Sequence, residues 1–173
     1  DLLKKSCKKY KKAYNIEHNK EFLTQWGLSL YKHGKILSQN NKLNEGKQIL
    51  EKSCNKFRLA FNFDPNDEHN LTLWTLAISK KIEILIKKKK NITEVIKKLI
   101  EEKIQKIRLI LNINSSETYL LNLWAQSLKL LVSYKYTNED YLFKYYFKIY
   151  IDFLKDIIKN FEIQIDDIEN LVQ

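Results

Sequence analysis

Apolar residues recur every three or four positions along most of this chain, which is the spacing of one face of an α-helix. Ile82, Leu85 and Ile86 form one such stripe. Pro65 cannot continue a helix, and polar residues in the other breaks between stripes offer side-chain oxygens as caps. The pattern predicts long helices over residues 2–16, 20–38, 43–63, 67–89, 93–113, 116–135 and 139–160, and a short helix over residues 164–172.

Composition narrows the fold class to all-α. The 173 residues include only three glycines and one proline, too few for the turns that a sheet or a phosphate-binding loop requires. Hydrophobic residues make up 44% of the chain and charged residues 30%, a balance typical of a folded domain. We therefore expect one helical-repeat domain over residues 1–173, without the run of roughly 18 apolar residues that a membrane span needs.

An internal repeat organises the predicted helices. Segments 6–17 and 53–64 match without gaps: each has Ser-Cys, an aromatic residue three positions after the Cys, then Ala, an aromatic residue and Asn. A weaker copy covers residues 107–114. Such self-similarity at a fixed period is typical of proteins built by stacking helical repeats.

A second motif, a tryptophan followed by a small residue or threonine, occurs at Trp26, Trp74 and Trp124 and uses all three tryptophans of the chain. Each unit then has two helices: the first carries the tryptophan, and the second carries the aromatic-x-x-Ala segment. Because the tryptophans recur regularly, we interpret them as core residues and not as ligand anchors. The period of 48 to 50 residues defines a partial unit at 1–18, full units at 19–66, 67–115 and 116–162, and a C-terminal helix at 163–173.

This pattern resembles the tetratricopeptide repeat. The matching positions of the first helix are Leu23, Trp26, Gly27 and Leu30, and those of the second are Ser53, Phe57, Ala60 and Pro65. The resemblance implies an α-α superhelix in which small residues let paired helices approach closely. A family unit has about 34 residues, so the additional residues around 35–48 and 83–98 indicate lengthened helices or an inserted loop. A looser similarity, over residues 20–130, is to the plant-type import receptor of the mitochondrial outer membrane, and it implies an organellar protein-import receptor domain as an alternative function.

The resemblance also implies a binding site, because the family binds extended peptides in the concave face lined by the first helix of each pair. We therefore expect a non-enzymatic scaffold or adaptor that binds a protein or peptide partner. By motif position, the expected groove residues are Thr24, Leu28, Tyr31, Lys32, His69, Thr72, Leu76, Lys80, Tyr119, Asn122, Gln126 and Lys129.

Catalytic and cofactor motifs are absent from the sequence. It has no glycine-rich phosphate loop, no Gly-x-Ser-x-Gly motif and no histidine pair on one predicted helix face. Three histidines and two separated cysteines do not make a tetrahedral zinc pattern. We expect no enzyme activity, no cofactor and no small-molecule substrate.

Lysine clusters give an alternative function. The net charge is +10, and lysines crowd the first helix and the run Lys87, Lys88, Lys89 and Lys90. Such patches attract the phosphates of RNA or an anionic membrane, although a solvated surface with a codon-biased lysine content is the favoured explanation. Arginine, the residue best suited to reading bases, occurs only at Arg58 and Arg108, which argues against base-specific recognition.

Aromatic residues crowd the predicted helix 139–160 more than one packing face can bury. They are Tyr141, Phe143, Tyr145, Tyr146, Phe147, Tyr150 and Phe153. This tyrosine-rich surface either caps the repeat or forms a second partner-binding patch.

The two cysteines are too few for a disulfide framework, which indicates a reducing intracellular compartment, cytoplasmic or organelle-associated. Because the chain begins at Asp1 and has no methionine, we expect it to be part of a longer protein. The compartment, the oligomeric state and the partner stay open at this point.

Overall fold

A computed structural model of the chain describes residues 2–88 and 93–113, together with residues 148, 151 and 155. This described part is all-helical, without strands. The helices are α1 (Leu2–Ile16), α2 (Lys20–Gln39), α3 (Leu43–Phe63), α4 (Glu68–Lys87) and α5 (Thr93–Ile113). The chain divides into two compact units, residues 1–130 and residues 131–173, and all five helices belong to the first.

The hydrophobic pattern predicted these five helices to within two residues at each end. Each helix packs against the next along the chain, and α2 also contacts α4. Within the described residues, no helix is both long and apolar enough to cross a membrane. The predicted helices at 116–135 and 164–172 lie outside the described residues, and of the predicted helix at 139–160 only residues 148, 151 and 155 are described.

Side-chain caps fix where the helices begin. The Asn19 side-chain oxygen accepts a hydrogen bond from the Glu21 backbone N–H (2.8 Å), and Asp67 accepts one from Asn70 (3.0 Å). These bonds satisfy backbone donors that have no partner within the helix. Pro65 follows directly on the last turn of α3, so that helix ends at Phe63.

Small residues bring α2 and α3 into close contact, as the motif implied. A Cβ atom added to Gly27 would lie 2.6 Å from the Phe57 ring, and one added to Gly34 would lie 2.7 Å from Leu50. The Ser53 hydroxyl donates a hydrogen bond to the Gly27 carbonyl oxygen (2.7 Å). Side chains at these glycine positions would force the two helices apart.

The additional residues in the first full unit lengthen its helices and do not form an inserted loop. Helices α2 and α3 run for 20 and 21 residues, with three residues between them. Asn41 makes the turn with a φ of 60°, a left-handed conformation that asparagine tolerates better than most residues. Gly34 and Gly46 keep the lengthened ends in contact, since a Cβ on Gly46 would lie 3.1 Å from the Gly34 carbonyl oxygen.

A buried asparagine links three helices. Asn70, at the start of α4, is fully buried and donates a hydrogen bond to the Phe57 carbonyl oxygen of α3 (3.0 Å). Its own side-chain oxygen accepts a long hydrogen bond from the Thr24 hydroxyl of α2 (3.5 Å). Because an unpaired buried amide is costly, these bonds fix the relative positions of α2, α3 and α4.

Candidate partner-binding groove

Helices α2 and α4 are the two tryptophan-bearing helices of the described part, and the structure places them in contact. Helical spacing puts Leu28 and Tyr31 on one stripe of α2, and Thr72 and Leu76 on one stripe of α4. All four side chains are half-buried. We call the surface formed by these two stripes the α2–α4 groove.

One end of the α2–α4 groove is an open cleft of about 600 Å³. It is lined by Lys20, Asn66, Asp67, Glu68, His69 and Thr72. The Lys20 ammonium lies 2.5 Å from Asp64 and 3.2 Å from Asp67. The hydrogen bond from Lys20 lowers the pKa of the exposed Asp64 carboxyl. This end of the groove therefore presents paired charges and hydrogen-bonding groups.

Toward the other end of the α2–α4 groove, two lysines form ion pairs with Glu83. Its carboxylate lies 2.7 Å from the Lys80 ammonium and 3.2 Å from that of Lys87. Burial opposes ionisation of Glu83, but the hydrogen bonds from the two lysines hold its pKa below the usual value. Burial, with a smaller contribution from the charge on Glu83, raises the pKa of Tyr31 on α2. The half-buried stripes with Leu28 and Leu76 thus lie between two clusters of paired charge.

The structure gives the predicted groove residues different environments. Lys32 and His69 are exposed, and Lys80 is half-buried in its pair with Glu83. Thr24 is buried against Asn70, which removes it from the surface that a ligand can reach. Thr72 occupies the equivalent repeat position on α4 and stays half-buried. The remaining predicted groove residues, Tyr119, Asn122, Gln126 and Lys129, lie outside the described residues.

The predicted polyanion-binding run is only partly described. Lys87 pairs with Glu83, and Lys88 donates a hydrogen bond to the Asn44 side chain. Lys89 and Lys90 fall outside what the structure describes. So does the tyrosine-rich helix predicted at 139–160, apart from three helical positions within it.

Helix α1 carries a different basic surface, which we call the α1 lysines. All are exposed, and none forms an ion pair with the described residues. They are Lys4, Lys5, Lys8, Lys9, Lys11 and Lys12.

Two lysines stack on the repeated tryptophans, a contact that the sequence pattern does not predict. The Lys56 ammonium lies 3.8 Å from the ring centroid of Trp26, and the Lys106 ammonium lies 4.5 Å from that of Trp74. Lys56 and Lys106 occupy equivalent repeat positions, directly before the aligned residues Phe57 and Ile107. Trp74 is buried and Trp26 half-buried, so both belong to the packing of their own repeat units.

The cysteines are not activated. Burial raises the pKa of the Cys54 thiol to about 12, and it also raises that of the half-buried Cys7 thiol. A nucleophilic cysteine needs a lowered pKa. Across the described residues, no group of three or more His, Cys, Asp or Glu side chains is placed to hold a metal ion.

Comparisons with models of protein families and with curated proteins find no match to this chain. The resemblance to the tetratricopeptide repeat therefore rests on the sequence motif and on the helix packing described above.

Proposed function

We propose that this protein is a binding scaffold whose α2–α4 groove takes an extended peptide or a helix of a partner protein. The observation that supports this proposal is the pair of half-buried stripes on neighbouring helices, each carrying a leucine, with an open cleft of about 600 Å³ at one end. Leu28 and Leu76 would supply apolar contact, and the charged clusters around Lys20 and Glu83 would fix the orientation of the ligand.

The tetratricopeptide resemblance supports the same proposal. The small-residue contacts between α2 and α3 are those that the family motif implies, and the tryptophan-bearing helices lie next to each other. We propose that the helix pairs continue as an α-α superhelix, with the tryptophan-bearing helices lining its concave face. The longer helices would give this face greater width than a unit of about 34 residues provides.

Two groove substitutions test the proposal. Leu28→Glu and Leu76→Glu put a charge into the apolar part of the groove, and Leu59→Glu is the matched control on α3, at an exposed position outside it. The tagged chain and each variant are used to capture partners from native lysate at low and high salt, with nuclease, and bound proteins are identified by mass spectrometry. We expect a partner that survives salt, binds the Leu59→Glu chain and is lost from both groove variants. Equal capture by all three variants would rule out the groove as the site.

The α1 lysines support a second candidate function, docking on RNA or on an anionic membrane. Six exposed lysines without ion pairs to the described residues form a strong local positive field on one helix. Binding to RNA or to phosphatidylserine vesicles should then weaken steeply as salt increases and on changing Lys5, Lys8 and Lys12 to Gln. Binding that is independent of salt would exclude this function.

A further inference from the structure

The turn between α1 and α2 and the turn between α3 and α4 lie side by side, and we call residues 15–21 and 62–69 together the acidic edge. The Lys20 ammonium joins the two segments, since it lies 2.5 Å from Asp64 and 3.2 Å from Asp67. Five of the six residues that line the open cleft belong to this edge. The acidic edge is therefore one continuous surface formed by two turns of the repeat.

The sequence repeat continues through these two turns. At an offset of 47 residues, an asparagine, a large apolar residue, an acid, a second asparagine and a glutamate of the first turn recur in the second. The pairs are Asn15 and Asn62, Ile16 and Phe63, Glu17 and Asp64, Asn19 and Asn66, and Glu21 and Glu68. Helix capping explains some of these polar positions, because Asn19 accepts a hydrogen bond from the first turn of α2. It does not explain the apolar position.

A large apolar residue is exposed at this repeat position in each described unit. Phe63 is 52% exposed although α3 packs against both α2 and α4, and Ile16 and Ile113 are 86% and 37% exposed. Each of the other exposed large apolar residues in the described part of the chain has a buried, half-buried or polar equivalent in another unit. Packing within the repeat therefore does not account for this position, whereas contact with another molecule does.

The acidic edge has a charge opposite to that of the surrounding chain. It carries five carboxylates and one ammonium, whereas the rest of residues 2–88 carries three carboxylates and 17 lysines or arginines. Two helices end and two begin on this edge, so their partial charges of roughly 0.5 each cancel and the side chains decide its sign. The last turns of α1 and α3 contain no base. The edge is thus a negative surface on a chain with a net charge of +10.

Two of these carboxylates have no ion pair among the described residues. The Asn19 side-chain amide donates a hydrogen bond to Glu17 (3.3 Å), and the Gln25 amide donates one to Glu21 (2.9 Å). Both donors are neutral, so the two negative charges are not compensated. Glu17 and Glu21 are also exposed, which makes them accessible to cationic groups of another molecule.

We propose that the acidic edge is a docking site for a basic segment of a partner protein that carries at least one large apolar side chain. Lysine or arginine side chains of this segment pair with Glu17 and Glu21, and its apolar side chain packs on Phe63. A second copy of the chain is disfavoured as the occupant, because two molecules with a net charge of +10 repel each other. The acidic edge does not include Leu28 and Leu76 of the α2–α4 groove, so this inference does not rest on the proposed function.

Differential selection from a peptide library tests the proposal. A phage library of random dodecapeptides is panned on the complete 173-residue chain and, in parallel, on the Ile16→Ser/Phe63→Ser variant. Peptides that are enriched on the unsubstituted chain but not on the variant are sequenced. We expect these peptides to carry a net positive charge and a large apolar residue. A neutral or acidic set, or the same peptides on both chains, would overturn the proposal.

One of the selected peptides is then labelled with a fluorophore and titrated with the chain, and its anisotropy is measured. Glu17→Gln and Glu21→Gln should each weaken binding about two- to five-fold, the size of an exposed ion pair. Binding should also weaken as the salt concentration rises. Glu45→Gln removes an exposed carboxylate outside the acidic edge and should leave binding unchanged.

Controls separate the possible failures. Ile36→Ser removes an exposed apolar side chain near the other end of α2 and should not affect binding, whereas Phe63→Ser should weaken it at an unchanged melting temperature by circular dichroism. Loss of binding with Leu28→Glu would place the peptide in the α2–α4 groove, which would overturn this proposal and leave the proposed function standing. Self-association of the chain that Glu17→Gln weakens, measured by sedimentation, would also overturn it, in favour of a second copy.

Discussion

At the scale of single residues, small side chains set the distance between α2 and α3. Gly27 lies against the Phe57 ring, and its carbonyl oxygen accepts the Ser53 hydrogen bond. The repeat pattern predicts a small residue at this position but does not predict which side chain packs against it. The structure shows that an aromatic ring does, which leaves no room for a methyl group.

Gly27→Ala should destabilise the protein by about 1–3 kcal/mol, because the new Cβ lies 2.6 Å from the Phe57 ring. The better helix propensity of alanine, worth up to about 1 kcal/mol, offsets only part of this cost. Urea denaturation followed by circular dichroism measures the change. In the double variant Gly27→Ala/Phe57→Leu the two effects should be less than additive, because the smaller side chain leaves room for the methyl group; simple additivity would contradict the proposed clash.

Lys103 is a second residue whose environment only the structure reveals. Its side chain is 2% exposed, and its ammonium has no hydrogen-bond partner among the described residues. Burial lowers the pKa of Lys103 from 10.5 to about 8. The folded protein therefore binds fewer protons than the unfolded chain between these pH values, and its stability should rise with pH across that window.

Lys103→Met should stabilise the protein at pH 7 by about 2 kcal/mol, since it removes the cost of a buried charge. The gain should be complete below pH 8 and shrink as the pH rises toward 10.5, because Lys103 in the unsubstituted chain becomes neutral. Urea titrations of both chains at pH 7, 8, 9 and 10 measure the difference. A gain that stays constant with pH would show that Lys103 is not buried in its charged form.

At the scale of secondary-structure elements, Asn70 fixes the relative positions of three helices. It is the first buried residue of α4, and its side chain reaches both α2 and α3. One consequence is that Thr24, a predicted groove residue of α2, is buried and becomes part of the contact between helices. The half-buried stripe of α2 that lines the candidate groove therefore begins at Leu28.

Asn70→Leu keeps the size of the side chain but leaves the Phe57 carbonyl oxygen and the Thr24 hydroxyl without this partner. We expect a loss of about 1–3 kcal/mol in the free energy of unfolding, measured by urea denaturation. Asn62→Leu, at an exposed position on α3, is the matched control and should change stability by less than about 0.5 kcal/mol. Equal effects of the two substitutions on the free energy of unfolding would show that the hydrogen bonds of Asn70 do not stabilise the fold.

At the scale of the whole molecule, each of the five described helices packs mainly on the next one along the chain. Helix α1 contacts α2 without any buried residue, whereas α3 and α4 have many. A helix without buried residues opens more readily than helices with many, which open only with the domain. The two cysteines report on these two regions separately.

A thiol reagent should therefore modify Cys7 in the folded protein and reach Cys54 only on unfolding. Cys54 is buried with a pKa of about 12, so it holds very little thiolate at neutral pH. In the Cys7→Ser variant, the modification rate of Cys54 should rise with urea in parallel with global unfolding. Rapid modification of Cys54 without urea would show that α3 and α4 separate in the native state.

The sequence by itself determined the five helices and the small-residue contacts. Helical periodicity needs only local spacing, and capping residues and Pro65 act within one turn of the helix they limit. Repeat comparison also located the positions where helices pack closely, such as Gly27 and Ser53, because a contact made in each unit leaves a repeated pattern.

Only the tertiary structure decided which polar residues are buried. Thr24 and Thr72 share one repeat position, yet Asn70 covers the first alone, and no local pattern records that difference. Burial depends on residues far apart in the chain, so periodicity predicts which face packs but not what packs against it.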